Sequence, residues 1–328
     1  MEHISGKQLS TFYKDKQHIV PPYQLEQFQR LKGLDNLYKN VGSNIQFRTI
    51  MKHSNNFNFL YIKNKLIELL SKHISIKNSY DTVLRLISLP LTDTCIYKIM
   101  GGIMKSEERA KDQSHTNVIG RREKKVELFK FALLPYIKEK NLNVTKYLDF
   151  GCGDCEITPK YGKALNLGKE NIYGADIATW GNYNSGTRKI SDMTFVQVHD
   201  NKPYDFPDNS ISVISCYMVL HHVKNLDFCL KELHRIMTND GLLYITEHMV
   251  TNFMEKMVVD IEHSIYEIAI RNNPNYHKDF VNNYYHCIEW NVIMARNGFQ
   301  YVKHDYLKYD IMDQDDPTKK AWILYEKV

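Results

Sequence analysis

The chain is 328 residues long, with a formal charge of +5, 43% hydrophobic and 25% charged residues. That length holds one large domain, or a domain of typical catalytic size with a smaller companion. The composition excludes a membrane-spanning chain, since no apolar run nears a bilayer's thickness, and the charge permits nucleic acid without demanding it.

Residues 1–20 are polar and aperiodic and read as a flexible arm, ended by Pro21-Pro22. A helical N-terminal domain is expected over residues 21–115, with a mostly helical pattern from Tyr23 to about Met104. Leu25, Phe28, Leu31 and Leu34 recur at helical spacing, as do Leu60, Ile62, Leu66, Ile67 and Leu70, and then Val83, Leu84, Leu86 and Ile87 before Pro90. Breaks are expected at Asn55-Asn56 and Lys77-Asn78-Ser79. Lys and Arg outnumber Asp and Glu in this helical N-terminal domain. Such a balance suits RNA recognition or docking of a protein partner, and equally a set of solvated helix faces. Residues 105–119 are polar, and the domain boundary is placed there, between 115 and 116. Asp112, His115 and Arg121 could reach back over a ligand or belong to an exposed linker. A helix is expected over 121–140, with Val126, Phe129, Leu133 and Ile137 on one face and a kink at Pro135.

An apolar run from Val144 ends in Asp149-Phe150-Gly151-Cys152-Gly153-Asp154, and a helical pattern comes next over 158–167. This is a strand, a tight turn and a helix, the opening unit of a doubly wound α/β sheet. The glycines let the backbone turn sharply and approach a ligand, and the helix N-terminus offers unpaired N–H groups. A second strand over 171–176 ends on Asp176, placed to hold ribose hydroxyls. Glu156 stands where a third glycine would complete a dinucleotide fingerprint, and Asp149 lies in the strand end. Both speak against a nicotinamide dinucleotide and for a nucleoside carrying a cationic group. Further strands are expected over 195–198, 211–216 and 242–246, with a helix over 226–237 and a turn at Asn239-Asp240-Gly241. An insertion over 250–287 carries Met254, Met257, Val258, Ile261, Ile265 and Ile268 at helical spacing. A short helix over 289–297 and two strands over 299–306 and 321–326 close the chain.

The six cysteines form no disulfide framework, which fits the reducing cytosol and a cytoplasmic protein without a signal peptide. Cys152 and Cys155 have CxxC spacing, but no second pair stands nearby, so no metal is expected. Asn, Lys, Ile and Tyr are abundant while Gly and Pro are few. That bias accompanies AT-rich genomes, those of many large DNA viruses among them, and says little about chemistry.

Five segments in order carry a resemblance: Asp149-Phe150-Gly151-Cys152-Gly153-Asp154, Gly174-Ala175-Asp176, Phe206-Pro207-Asp208-Asn209-Ser210, Ser215 to His222, and Leu230 to Met237 with Gly241. From about 124 to 328, within a domain expected over 116–328, the chain resembles Rossmann-like S-adenosylmethionine-dependent methyltransferases, most of all the methyltransferase type 11 group. The resemblance implies a seven-stranded, mostly parallel, doubly wound α/β sheet with an antiparallel edge hairpin. It implies S-adenosylmethionine as cofactor, held by Asp149, Gly151, Gly153, Asp154, Asp176 and Ile177, with His199 and Asp200 flanking the adenine and Cys216 at the end of the fourth strand.

Methyl transfer from a sulfonium needs alignment and exclusion of water, and for oxygen or carbon acceptors also a base or an electrophile. Candidates are His221 and His222 after strand four, Glu247 and His248 after strand five, and Glu262 and Tyr285 in the insertion, beside His263 and Tyr284. By topology the first four sit at the ligand-binding edge, and the insertion is placed to act as a lid. The acceptor is expected to be RNA or a small molecule. Ribose 2′-O methylation is disfavoured because Cys216-Tyr217 stands where those enzymes carry an acid. Cap guanine-N7 enzymes share the aromatic and the Leu-His step after strand four, so an mRNA cap activity is an alternative, although they carry a basic residue after the glycines where this chain has Asp154. Another is a non-catalytic binding or stimulatory subunit that keeps its pocket.

Overall fold

The computed structural model describes residues 66–68, 70–71, 74–88, 93–106, 118–177, 192–251, 253–270, 276–278, 280–307 and 318–328. The expected arm, the helical repeats before Leu66, Asp112, His115, the Asn/Ser-rich stretch at 180–189 and the acidic 310–316 lie outside them. The described residues within Met1–Gln113 and Thr251–Asp279 form one compact unit, and those within Ser114–Val250 and Phe280–Val328 form another.

In the second unit, α3 (Val118–Glu139) leads into β1 (Tyr147–Phe150), α4 (Thr158–Ala164), β2 (Ile172–Asp176), β3 (Thr194–Gln197) and β4 (Ile211–Tyr217). Then come α5 (Leu226–Ile236), β5 (Met237–His248), α7 (Cys287–Arg296), β6 (Phe299–Tyr306) and β7 (Lys320–Lys327). The seven strands are ordered β3-β2-β1-β4-β5-β7-β6. β1 to β5 pair in parallel, and β7 runs antiparallel to both β5 and β6. The expected architecture, edge hairpin included, is the one observed.

Alternation along the strands feeds two cores. Leu148, Phe150, Ile214, Leu243 and Ile245 face one side with Leu230 and Leu233 of α5 and Trp290 and Met294 of α7. Tyr147, Val213, Leu242 and Tyr244 face the other with Phe129 and Leu133 of α3 and Tyr161 of α4. The period of two in a strand decides which side chain meets which helix layer. α3 continues through Pro135 to Glu139.

Two boundaries differ from expectation for identifiable reasons. α7 begins at Cys287 because His286 is its cap: His286 Nδ1 accepts from Ile288 N–H at 3.4 Å, and Glu289 Oε2 accepts from His286 N–H at 2.8 Å. Glu289 is therefore the third helical residue, the reciprocal partner of a capping box. The expected turn at 239–241 falls inside β5. Ile211 and Val213 of β4 pair with Met237 and Leu242, so residues 238–241 are taken up as a bulge in a strand that starts five residues early.

The Phe206–Ser210 and Leu230–Met237 motifs meet through Arg235. Its guanidinium donates to the carbonyls of Tyr204 (2.9 Å) and Phe206 (3.0 Å), to Glu232 (2.8 and 3.0 Å) and to Asp208 (2.6 Å). This fork fixes the loop entering β4 against α5, and the Arg235 hydrogen bond holds the Glu232 carboxyl below its usual range.

In the first unit, α1 (Ile76–Ser88) and α2 (Asp93–Ser106) share a core with α6 (Phe253–Ser264) from the insertion. Val83, Leu86, Ile96 and Met100 pack with Val258, Ile261, Ile265 and Ile268. Within that unit the Tyr97 hydroxyl donates to the buried Asp260 carboxylate at 3.2 Å. Val258, Ile261, Ile265 and Ile268 of the insertion's apolar stripe are thus core of the helical unit.

Arg235→Ala removes the guanidinium donor from two carbonyls and from the buried Glu232 carboxylate. It is expected to lower unfolding free energy by about 2 to 3 kcal/mol, the scale of charge-assisted hydrogen bonds. Urea denaturation of the variant against the parent checks this; a loss below about 0.5 kcal/mol, the surface-substitution range, contradicts the clamp.

Candidate functional site

The carboxyl edges of β1, β2, β4 and β5 carry the residues singled out in the sequence. After β1, the backbone N–H groups of Gly151 and Cys152 both donate to the Ala175 carbonyl, at 2.7 and 3.1 Å, which turns the chain back over β2. The two glycines do different work. Gly151 has φ +77°, and a Cβ there would meet the Val219 side chain at 2.3 Å, so the position is closed by packing. Gly153 has φ +53°, and no atom lies within 4 Å of where its Cβ would stand. Its N–H donates to Asp176 Oδ2 at 3.0 Å. Bare backbone thus lies beside an acid at the end of β2, the cradle a nucleoside cofactor requires.

Asp149 lies beneath this turn and is 2% exposed. Thr158 Oγ1 donates to its Oδ2 at 2.6 Å and Ser215 Oγ to its Oδ1 at 2.9 Å. Burial pushes its carboxyl up to about 6, with Asp176 adding to the rise, against the lowering effect of the two hydroxyls and Lys125. The Asp149 carboxylate ties β1, β4 and α4 together under the glycines. Asp154 and Glu156 on the far side of the turn both pair with Arg122 of α3. Lys125, one turn further on, sets its Nζ 4.0 Å from the centre of the Tyr217 ring.

Cys152 and Cys155 face each other with Sγ atoms 3.0 Å apart, both buried. The hydrogen bond between them, then burial, holds the Cys152 thiol well above its usual range. Cys152 packs against Gly174, where a Cβ would come within 3.2 Å of the Cys152 side chain. The remaining candidates on this side vary. Ile177 is exposed after β2, and Gln197 donates to its carbonyl at 3.1 Å. His199 and Asp200 are exposed in the turn after β3. The Cys216 side chain is sealed in the core shared with α5 and α7.

After β4 the chain turns at Met218, which adopts φ +54° and donates its N–H to the Thr246 carbonyl at 2.8 Å. Glu247 of β5 organises the residues beyond this turn. It is fully buried, and its Oε1 accepts from the N–H groups of Val219 (3.1 Å) and Leu220 (2.8 Å). Its Oε2 lies 2.5 Å from His221 Nδ1, so the imidazole donates from that nitrogen. His222 is partly exposed, with its ring centre 4.0 Å from that of His221. His248 is buried, and its ring centre lies 5.2 Å from that of His221. Asn283 braces the turn from behind: its Nδ2 donates to the carbonyls of Leu220 (3.2 Å) and Val223 (2.8 Å), and its backbone N–H to that of His221 (3.1 Å).

His221, His222, Glu247 and His248 are thus brought together. Tyr284 joins them, with its ring centre 5.8 Å from that of His221 and 6.0 Å from that of His248. Tyr285 points elsewhere and packs edge-on against Trp290 at 5.2 Å. Glu262 belongs to the other unit, beside His263 at 3.6 Å. Sequence reasoning missed Arg122, Ser215, Thr158 and Asn283. Ser215 was readable, since a polar residue in a fully buried strand needs a partner. Asn283 and Arg122 carried no local signal.

Asp149 makes a test by linkage. A folded-state carboxyl raised above its unfolded value stabilises fully below about 3.8 and loses that contribution as pH rises through about 6. Asp149→Asn should abolish this component. The stability of the parent relative to the variant should therefore fall by about 2 to 3 kcal/mol between pH 4 and pH 8. Denaturant titrations of both proteins across that range decide it, a constant difference being the contrary result.

A methyltransferase domain family model matches residues 121–304, more than half of the chain. No curated protein matches the chain. Among solved structures, an S-adenosylmethionine-dependent methyltransferase from Mesorhizobium loti is 10% identical, with a TM-score of 0.42 over 59% of this chain and 96% of that one. An S-adenosylmethionine-dependent methyltransferase from Methanosarcina mazei is 15% identical, with a TM-score of 0.42 over 58% and 97%. One from Aquifex aeolicus is 14% identical, with a TM-score of 0.38 over 62% and 97%. No helix among the described residues is long and apolar enough to cross a membrane. With its motif turn, its sheet order and the family match, the chain belongs to the methyltransferase domain family, as a Rossmann-like S-adenosylmethionine-dependent methyltransferase.

Proposed function

We propose that the chain moves a methyl group from S-adenosylmethionine to an acceptor nucleophile presented over the carboxyl ends of β4 and β5, an RNA or a small molecule. The observation that carries this reading is the buried Glu247 carboxylate, which fixes the loop after β4 through two backbone N–H groups and His221. Such a rigid wall beside the glycine turn is what alignment of two reactants requires.

When bound, S-adenosylmethionine supplies an activated methyl group on a sulfonium. Gly153 and Asp176 hold the nucleoside, and Asp176 keeps the loop N–H of Gly153 in place at the same time. Arg122 neutralises Asp154 and Glu156 at the mouth of the turn. His221, locked by Glu247, positions the partly exposed His222, which meets the acceptor and takes its proton where the nucleophile is an oxygen. A nitrogen acceptor needs alignment alone.

Incubation with labelled S-adenosylmethionine and separate RNA, protein and metabolite pools tests the activity and names the acceptor. Cofactor binding without label in any pool would return the chain to a binding or stimulatory role. Asp176→Ala should weaken cofactor binding more than tenfold, about 1.4 kcal/mol, while Asp176→Asn, which keeps an acceptor for Gly153 N–H, should lose less. Equal affinities by calorimetry would remove Asp176 from the cofactor site. His222→Ala should slow single turnover more than tenfold with unchanged cofactor affinity, and an unaltered rate would release His222 from its assigned role.

A further inference from the structure

We propose that β6 is the interface of a homodimer, in which the strands of two copies pair antiparallel about a two-fold axis through His304. β6 is an edge of the sheet: no described residue pairs with its outer side. Five of its eight residues are exposed, Tyr301 and Tyr306 among them. The Tyr306 N–H is taken by the Asp305 carboxylate at 2.8 Å, and the rest of the edge is a template for another strand.

The side chains select a second copy of the same strand. Lys303 and Asp305 flank His304 symmetrically and lie on one face of the strand, opposite Leu324 and Trp322 of β7. In an antiparallel pair centred on His304, each Lys303 stands directly across from the other copy's Asp305. Two opposite-charge cross-strand pairs result, and every other residue-centred register within the regular part of the strand loses them. Isolated charges on an edge keep strands apart, but charges of opposite sign placed symmetrically about a centre attract a copy of themselves.

The axis stands perpendicular to the sheet, so α7 of both copies lies on the same side of the joined strands. Its outer stripe is apolar there: Ile288 is 68% exposed and Val292, one turn on, 46%. The bulge between Tyr301 and Lys303 limits regular pairing to the second half of β6, so this stripe and the two tyrosines supply the remaining contact.

The test is the mass of the full chain in solution, by light scattering or sedimentation, up to about 1 mM, the weak end of measurable affinity. A reversible dimer is expected. Lys303→Glu and Asp305→Lys should each weaken it at least tenfold by setting like charges opposite, and the double variant Lys303→Glu/Asp305→Lys should restore it. Lys303 also lies 5.8 Å from the Trp322 ring, so thermal melts accompany each variant, and Asp305→Lys leaves that contact intact. His304→Cys should cross-link two copies under mild oxidation, because Cα atoms directly opposite in such a pair are about 4.5 to 5.5 Å apart, within disulfide reach. A monomer at every concentration overturns the proposal. So does a dimer that ignores both charge reversals and fails to cross-link at His304, which would place the contact on another surface.

Discussion

A carboxylate with no exposed surface is tolerated only when its lone pairs are met by donors, since stripping its hydration costs several kcal/mol. Glu247 meets that demand with two backbone N–H groups and an imidazole, all drawn from the residues just past the β4 turn. The demand runs both ways. The loop keeps its course because Glu247 needs it, and Met218 holds its left-handed conformation because the Thr246 carbonyl fixes the turn. Asn283, arriving much later in the chain, takes up the carbonyls that this course leaves exposed. Three distant segments become one wall at the edge of the sheet.

The turn after β1 solves a related problem with the charges arranged differently. Asp149 sits below it, satisfied by two hydroxyls, and its raised carboxyl records burial that those hydrogen bonds only partly offset. Asp154 and Glu156 sit outside it, and Arg122 of the preceding helix answers both. Beyond the glycines, this protein brings a cation in from α3. The gap between Gly151 and Gly153 is equally instructive. One glycine is needed because Val219 occupies the space a side chain would take, and the other lies in open space beside Asp176 with a left-handed φ of +53°.

The long insertion shows how an amphipathic stripe finds its partner. Its apolar residues complete a core with α1 and α2, although about 150 residues separate them in sequence. The Tyr97 hydroxyl joins α2 to α6 by donating to one oxygen of the buried Asp260 carboxylate within the same unit.

By itself the sequence determined the layers and their order. Short apolar runs, two glycines after an acid, and a second acid closing the next strand are local patterns with local causes, and they placed the strands, the glycine turn and Asp176 at the end of β2. The antiparallel hairpin came from resemblance alone. Local reading failed where partners are distant. Tyr284 and Tyr285 are adjacent and chemically identical, and only packing decides that Tyr284 joins His221 and His248 while Tyr285 covers Trp290. Glu289 looked like a helix start until His286 proved to be its cap. Glu247 and His248 read as equal candidates, yet the side-chain alternation of β5 turns Glu247 toward the loop donors. Hydrogen-bond satisfaction of a buried charge is a three-dimensional condition, and no spacing in the chain expresses it.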